Sequence, residues 1–120
     1  MDEELGVEVT NEAGAAVVVF KSASISEVDI ITASSNQIKA FIDENKPDKM
    51  IFDFEGVKFF SSQVLGLLLD IRAKLKPNDG EVVISAINPQ LHRVFTITNL
   101  DKVFRFFPDK QSAIQAINTA

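Results

Sequence analysis

The chain has 120 residues, of which 46% are hydrophobic and 24% are charged, as expected of one globular domain covering residues 1–120. Its net charge of −5 opposes contact with a phosphate backbone and argues against nucleic acid as a partner. Cysteine is absent from the sequence, which excludes disulfides and thiolate metal sites. The longest uncharged apolar runs fall far short of the roughly 20 residues of a membrane span, and the acidic N-terminus lacks a secretory signal. We therefore expect a cytoplasmic protein without membrane insertion.

The N-terminal part of the chain predicts a β-hairpin followed by a helix. Residues 5–9 alternate weakly, residues 11–14 (NEAG) are typical of a turn, and residues 15–20 (AAVVVF) form a buried-strand run. From Ser26 to Asn45 the apolar residues recur at helical spacing. Either the first residue of that segment or Asp29 is a candidate N-cap.

The centre of the sequence predicts a strand, a helix and a second strand. Residues 49–54 (KMIFDF) and 81–87 (EVVISAI) are short apolar runs bounded by turn residues. Between them, residues 64–75 repeat apolar side chains at helical spacing and are apolar nearly all round at the start. That end of the helix is either buried or faces a partner.

The C-terminal part predicts two more helices and one strand. Asn88 is a candidate N-cap and Pro89 suits the first position of a short helix running to about Thr98. Residues 103–107 read as a last strand, and Pro108-Asp109 begins the final helix. Strands and helices alternate after the hairpin, so the predicted class is α/β, with a mixed, mainly parallel sheet of about five strands and about four helices.

Residues that could do chemistry do not form a constellation. The single histidine, His92, has no second histidine or cysteine to join it in a metal site or triad. The glycines are not spaced for a dinucleotide or phosphate loop. Asp53 and Glu55 lie two apart at a strand end, although solvated charges are the more common interpretation there. We therefore predict no enzymatic activity, no cofactor and no metal; a pocket lined by these three side chains would indicate otherwise.

Two adjacent serines in the stretch VKFFSSQVLG, residues 57–66, allow two interpretations. Ser61 is a good N-cap, because its hydroxyl can accept a hydrogen bond from the first turn of the helix. Capping by Ser61 does not explain why position 62 also carries a hydroxyl. A phosphoryl group on Ser62 would be tolerated at the positive end of the helix, whereas a partner burying the same surface would have to desolvate the added charge. From the residues alone the cap is the simpler interpretation, and the switch stays open.

These serines lie in a segment that resembles the STAS domain family, and within it the stand-alone bacterial anti-sigma factor antagonists. The resemblance runs from about Val17 to Ile117 and includes the closing segment NPQLHRVFTITNLDKVFRFFPDKQSAIQAI. The family motif Asp-Ser-Ser-Gly-Leu-Gly corresponds here to SSQVLG. In that alignment Ser61 replaces Asp, Ser62 matches the phosphorylated Ser, Gln63 replaces the second Ser, Val64 replaces the first Gly, and Leu65 and Gly66 match.

The resemblance implies a STAS fold and a function without enzymatic chemistry. The unphosphorylated protein would bind an anti-sigma factor that is also a serine kinase, freeing a sigma factor for transcription. The kinase would phosphorylate Ser62, or alternatively Ser61, and a serine phosphatase would reset the protein. The expected partner-binding residues are Phe59, Phe60, Ser61, Ser62, Gln63, Val64 and Leu65. We expect Gly66, unfavourable inside a helix, to permit a close approach of backbone.

The altered motif also indicates an alternative function. A STAS module that is never phosphorylated could serve as a constitutive scaffold, or as a subunit of another assembly such as a lipid transport complex. If the alternative holds, Ser62→Asp should leave the affinity for a partner almost unchanged. If Ser62 is a phosphorylation switch, the same substitution should cause a large loss of affinity.

Overall fold

The computed structural model describes residues 6–118. Its strands are β1 (Val7–Glu12), β2 (Ala15–Phe20), β3 (Ser24–Ile25), β4 (Lys49–Asp53), β5 (Phe59–Phe60), β6 (Glu81–Ser85) and β7 (Arg105–Phe107). Its α-helices are α1 (Val28–Asn45), α2 (Gln63–Leu75), α3 (Pro89–Ile97) and α4 (Lys110–Asn118), with 3-10 turns at Lys76–Asn78 and Leu100–Lys102.

The main sheet has five strands in the order β1-β2-β4-β6-β7. β1 pairs antiparallel with β2, and the remaining neighbours pair parallel. The strands β3 and β5 form a separate parallel pair. The predicted α/β class, with a mixed, mainly parallel five-stranded sheet and four helices, is confirmed.

The opening hairpin closes through two residues with left-handed backbone. Ala13 (φ 52°) and Gly14 (φ 85°) connect β1 to β2, in the manner of a two-residue turn whose twist matches that of the strands. The side-chain amide of Gln37 holds the start of β1 through two hydrogen bonds to Val7. Its oxygen accepts from the N–H of Val7 (3.1 Å), and its nitrogen donates to the carbonyl of Val7 (2.8 Å). The predicted start at residue 5 lies outside the described residues.

Helices cover both faces of the sheet. On one face, side chains of α1, α2 and α3, among them Ile38, Leu68 and Phe95, pack with Phe52 of β4 in the main core. On the other face, α4 packs against strand residues that point the opposite way. Because successive strand residues alternate between faces, the strands contribute side chains to both layers, and α2 packs beside α1 and against β6.

Helix α1 begins later than predicted. Its first residue is Val28, and neither Ser26 nor Asp29 is the N-cap; Glu27 holds that position with extended backbone and no side-chain cap bond. The reason is tertiary: Ser24 and Ile25 pair with Phe59 and Phe60, which holds the chain extended just before the helix. Two-residue strands show no periodicity, so the sequence did not reveal this pair.

The predicted cap of α3 is confirmed. Asn88 Oδ1 accepts a hydrogen bond from the N–H of Leu91 (2.9 Å), and Pro89 is the first helical residue. The amide nitrogen of Asn88 also donates to the carbonyl of Val57 (3.2 Å). The same side chain therefore starts α3 and fastens it to the segment that leads into β5.

The last strand and helix are slightly shorter than predicted. The N–H groups of Val103 (3.0 Å) and Phe104 (3.3 Å) donate to the carbonyl of Leu100 and close the 3-10 turn, so β7 begins at Arg105. Asp109 Oδ1 accepts a hydrogen bond from the N–H of Ser112 (2.8 Å) at the start of α4, and this bonding lowers the pKa of Asp109 below its ordinary value. Within residues 6–118, no helix is long and apolar enough to cross a membrane.

Candidate functional site: the start of helix α2

The two serines follow a connection that is fixed at several points. After β4 the chain turns at Gly56, whose φ of 87° suits glycine, and the N–H of Val57 donates to the carbonyl of Phe54 (3.0 Å). β5 then pairs with β3. The N–H of Ser61 donates to the carbonyl of Ile25 (2.9 Å). Backbone bonds therefore place the start of α2 next to the start of α1.

Backbone groups, and not serine hydroxyls, form the first turn of α2. The N–H groups of Val64 and Leu65 donate to the carbonyls of Ser61 and Ser62, both at 3.0 Å. Ser62 already has helical backbone angles (φ −61°, ψ −17°) and its side chain makes no cap bond. The N–H groups of the second and third helical residues thus bond to backbone carbonyls, and the Ser62 side chain does not cap them.

The prediction that Ser61 caps α2 is therefore wrong. Its hydroxyl oxygen is inaccessible to solvent and has no hydrogen-bond partner within residues 6–118. The carbonyl oxygen of Ser61, and not its hydroxyl, accepts the hydrogen bond from the first turn. A buried hydroxyl without a partner costs about 1–3 kcal/mol. Ser61 thus weakens the start of the helix.

The structure divides the predicted partner-binding residues into two groups. Phe59 is 53% exposed, Ser62 and Gln63 are exposed, and Ser61 is half-buried. Phe60, Val64 and Leu65 belong to the main core. The apolar start of α2 is thus explained by burial against the sheet and the neighbouring helices.

Further exposed positions continue along α2 from Ser62. Gly66 and Ala73 are exposed, and Leu69 is 37% exposed. The spacing of 62, 66, 69 and 73 places these residues on one side of a helix. This spacing could have predicted the exposed side from the sequence, but the apolar residues between these positions obscured it. Asp70, also exposed, is 3.1 Å from Lys39 Nζ of α1.

Gly66 does not have the close backbone contact predicted for it. A Cβ atom at this position would meet no heavy atom within 4 Å, and its φ lies outside the positive range found at Gly6, Gly14 and Gly56. An alanine would fit the fold. Glycine inside a helix costs about 1 kcal/mol relative to alanine, and no contact within residues 6–118 accounts for this cost.

The side chains considered for catalysis have separate structural surroundings. Asp53 is buried and accepts a hydrogen bond from Ser85 Oγ (3.1 Å), whereas Glu55 is exposed. His92 packs edge-on against Phe106 at 4.6 Å between ring centroids. Within residues 6–118, no group of three or more potential metal ligands is present. Asp53 thus bonds to the neighbouring strand β6, and His92 packs against β7.

The fold and this site define an α/β protein with an exposed serine at the start of α2. Residues 12–113 match the STAS domain, and the chain belongs to that family. The match covers most of the segment in which the resemblance was found.

Solved structures share the fold over nearly the whole chain. An anti-sigma factor antagonist (STAS) domain protein from Planctomyces limnophilus has 26% identity and a TM-score of 0.87, covering 95% of this chain and 99% of that one. An anti-sigma factor antagonist from Mycobacterium paratuberculosis has 25% identity and a TM-score of 0.82, covering 98% and 97%. The Bacillus cell fate determinant SpoIIAA in its phosphorylated form has 18% identity and a TM-score of 0.72, covering 93% and 99%; at that identity the likeness is one of fold.

Proposed function

We propose that this chain is an anti-sigma factor antagonist of the bacterial cytoplasm. It binds an anti-sigma factor that is also a serine kinase and so frees a sigma factor for transcription. The kinase transfers the γ-phosphoryl group of ATP to Ser62, which releases ADP and the hydroxyl proton and ends the binding. A serine phosphatase restores the free hydroxyl. The chain itself performs no catalysis in this cycle.

The observation that carries the proposal is the exposed Ser62 at the start of α2, three residues after the exposed ring of Phe59. Membership of the STAS family and the likeness to two anti-sigma factor antagonists at 26% and 25% identity support the choice of partner. Phe59 supplies apolar area that a partner can bury.

Accessibility favours Ser62 over Ser61 as the phosphoryl acceptor. Ser62 is exposed, whereas the hydroxyl oxygen of Ser61 is inaccessible to solvent. A kinase must bring the γ-phosphoryl group into line with the attacking oxygen, which the burial of the Ser61 oxygen prevents. We therefore assign the modification to Ser62.

Phosphate on Ser62 is compatible with the fold but not with a partner that covers it. The positive end of the α2 dipole favours an anion at this position. A phosphoserine carries about −1.5 to −2 charge at pH 7, and enclosing that charge without a matched cation costs several kcal/mol. Phosphorylation therefore lowers affinity without unfolding the protein.

The test is phosphorylation by purified serine-kinase anti-sigma factors from the same genome, each incubated with the chain, ATP and Mg²⁺. Peptide mass spectrometry should place one phosphate on Ser62, on the wild type and on Ser61→Ala, with none on Ser62→Ala. The proposed switch is wrong if kinases that modify their own known antagonists leave Ser62 unmodified.

The altered motif favours one second candidate, a STAS module that is never phosphorylated and acts as a scaffold or as a subunit of another assembly, such as a lipid transport complex. Gln63 places a larger exposed side chain beside Ser62 than the family's serine would. Val64, at the position of a family glycine, is fully buried in the core. This function expects the same partner affinity for the wild type and Ser62→Asp.

A further inference from the structure

The strand β1 is an edge of the main sheet, and its outer side pairs with no other strand of residues 6–118. It stands at one end of the strand order, and its register with β2 is continuous from Val7 to Glu12. The strand contains neither a proline nor a bulge, which are two of the devices that keep edge strands from pairing. This edge is therefore open to pairing with a strand of another molecule.

The side chain of Gln37 shows which backbone groups of β1 point outward. Its amide bonds both the N–H and the carbonyl of Val7 (3.1 and 2.8 Å), so these two groups point away from β2. The direction alternates along an antiparallel strand, so the N–H and carbonyl groups of Val9 and Asn11 also point outward. Within residues 6–118 these outward groups have no hydrogen bond. They are the groups that a further strand would bond.

We propose that the occupant of this edge is β1 of a second copy of the chain, paired antiparallel about a two-fold axis. In this dimer, Val9 of each copy lies opposite Asn11 of the other, so every outward N–H and carbonyl group of these two residues gains a partner. Thr10 lies on the axis, opposite Thr10 of the other copy, and such threonine pairs are favourable across strands. The contact uses none of the residues assigned to the anti-sigma factor, so it goes beyond the proposed function.

The Gln37 side chain also selects this register over its neighbours. With Val9 opposite Val9, the outward groups of Asn11 would need those of Val7, which Gln37 already bonds. With Asn11 opposite Asn11, the groups of Val9 would face Ala13, which lies in the turn after β1. Registers shifted in either direction therefore make fewer hydrogen bonds than the one proposed.

The charges on this part of β1 fit the same register. It brings Glu8 of each copy opposite Glu12 of the other. Glu12 Oε1 is 3.0 Å from Lys110 Nζ in its own chain, whereas Glu8 is exposed and has no ion pair within residues 6–118. Glu8 thus comes near a cation that it lacks in the monomer. Two carboxylates share each ammonium, so the dimer should strengthen as added salt screens the excess negative charge.

The first test uses the absence of cysteine from the sequence. Thr10→Cys and its control Glu8→Cys, on the same face of the strand, are oxidised with copper-phenanthroline and run on non-reducing gels. In the proposed dimer the two Cα atoms at position 10 are about 4.5 Å apart, within reach of a disulfide, whereas those at position 8 are about 14 Å apart. Thr10→Cys should form a covalent dimer and Glu8→Cys should stay monomeric. Equal cross-linking of the two variants, or none in Thr10→Cys, would overturn the proposal.

The second test is sedimentation equilibrium of the cysteine-free protein from about 1 μM to about 1 mM. The mass of the wild type should rise from that of a monomer toward that of a dimer. Asn11→Pro removes an outward N–H but no bond to β2, so it should stay folded, keep its melting temperature within a few degrees and dimerise at least about tenfold more weakly. A wild type that stays monomeric contradicts the second copy as occupant, and dimerisation unchanged in folded Asn11→Pro contradicts the edge as the contact. If Asn11→Pro does not fold, the cysteine variants decide.

Discussion

At the scale of single residues, the adjacent serines at the start of α2 differ in accessibility and in bonding. Ser62 has helical backbone angles, and the turn closes through carbonyl oxygens. The hydroxyl of Ser61 is left buried and without a partner in the described part of the chain, whereas Ser62 is exposed. One hydroxyl therefore weakens the fold, and its neighbour is accessible to a kinase.

Ser61→Ala should stabilise the protein. Removing a buried hydroxyl that has no hydrogen-bond partner should raise the free energy of unfolding by about 1 kcal/mol. Urea denaturation of Ser61→Ala and of the exposed control Ser62→Ala measures this, and the control should stay within about 0.5 kcal/mol of the wild type. A loss of stability in Ser61→Ala would show that the hydroxyl is bonded, contrary to the structure.

The sequence predicted the position of the candidate site, but not which of its residues are exposed and which are buried. The serines and the apolar residues around them were found from local pattern alone. Which of Phe59 and Phe60 faces solvent depends on the pairing of β5 with β3, a contact between segments more than 30 residues apart. Sequence spacing could not define that pairing, so the predicted surface included residues that belong to the core.

At the scale of elements, those whose signals are local were predicted most accurately. The strand β4 and the Asn-Pro start of α3 each depend on neighbouring residues in the sequence, and both predictions were confirmed. The predicted start of α1 was wrong, because the pairing of β3 with β5 holds the preceding residues in an extended conformation. Tertiary contacts therefore set the boundaries that the local pattern left open.

Asn88→Ala should destabilise the protein through two lost bonds. The side chain caps α3 through Leu91 and bonds the carbonyl of Val57, so we expect a loss of about 1–2 kcal/mol in the free energy of unfolding. Gln90→Ala, at an exposed position of the same helix, should change it by less than about 0.5 kcal/mol. Equal effects of the two substitutions in urea denaturation would contradict the assigned role of Asn88.

At the scale of the whole molecule, an ion pair joins the two ends of the described chain. Lys110 Nζ of α4 is 3.0 Å from Glu12 Oε1 of β1. The hydrogen bond to Glu12 raises the pKa of Lys110 above its ordinary value of 10.5, with smaller contributions from the charges of Asp53 and Glu55. The pair helps to hold α4 against the face of the sheet opposite α2.

The raised pKa of Lys110 gives a pH dependence of stability at alkaline pH. The folded protein holds this proton more tightly than the unfolded chain, so the contribution is fully present below pH 10.5 and is lost as the pH rises through the higher folded value. Melting temperatures measured on either side of this pH should fall less steeply for Glu12→Gln than for the wild type. Identical slopes for the two proteins would show that the pair contributes nothing to stability.

The central claim is that a negative charge on Ser62 separates this protein from an anti-sigma factor. The most direct measurement is a calorimetric titration of wild type, Ser62→Asp and the charge control Ala40→Asp with the serine-kinase anti-sigma factors of the same genome. We expect Ser62→Asp to bind about a hundredfold more weakly than the wild type, because the contact would bury an unpaired carboxylate, and Ala40→Asp to bind normally. Equal affinities of the wild type and Ser62→Asp for the same kinase would contradict the switch and favour the unphosphorylated module.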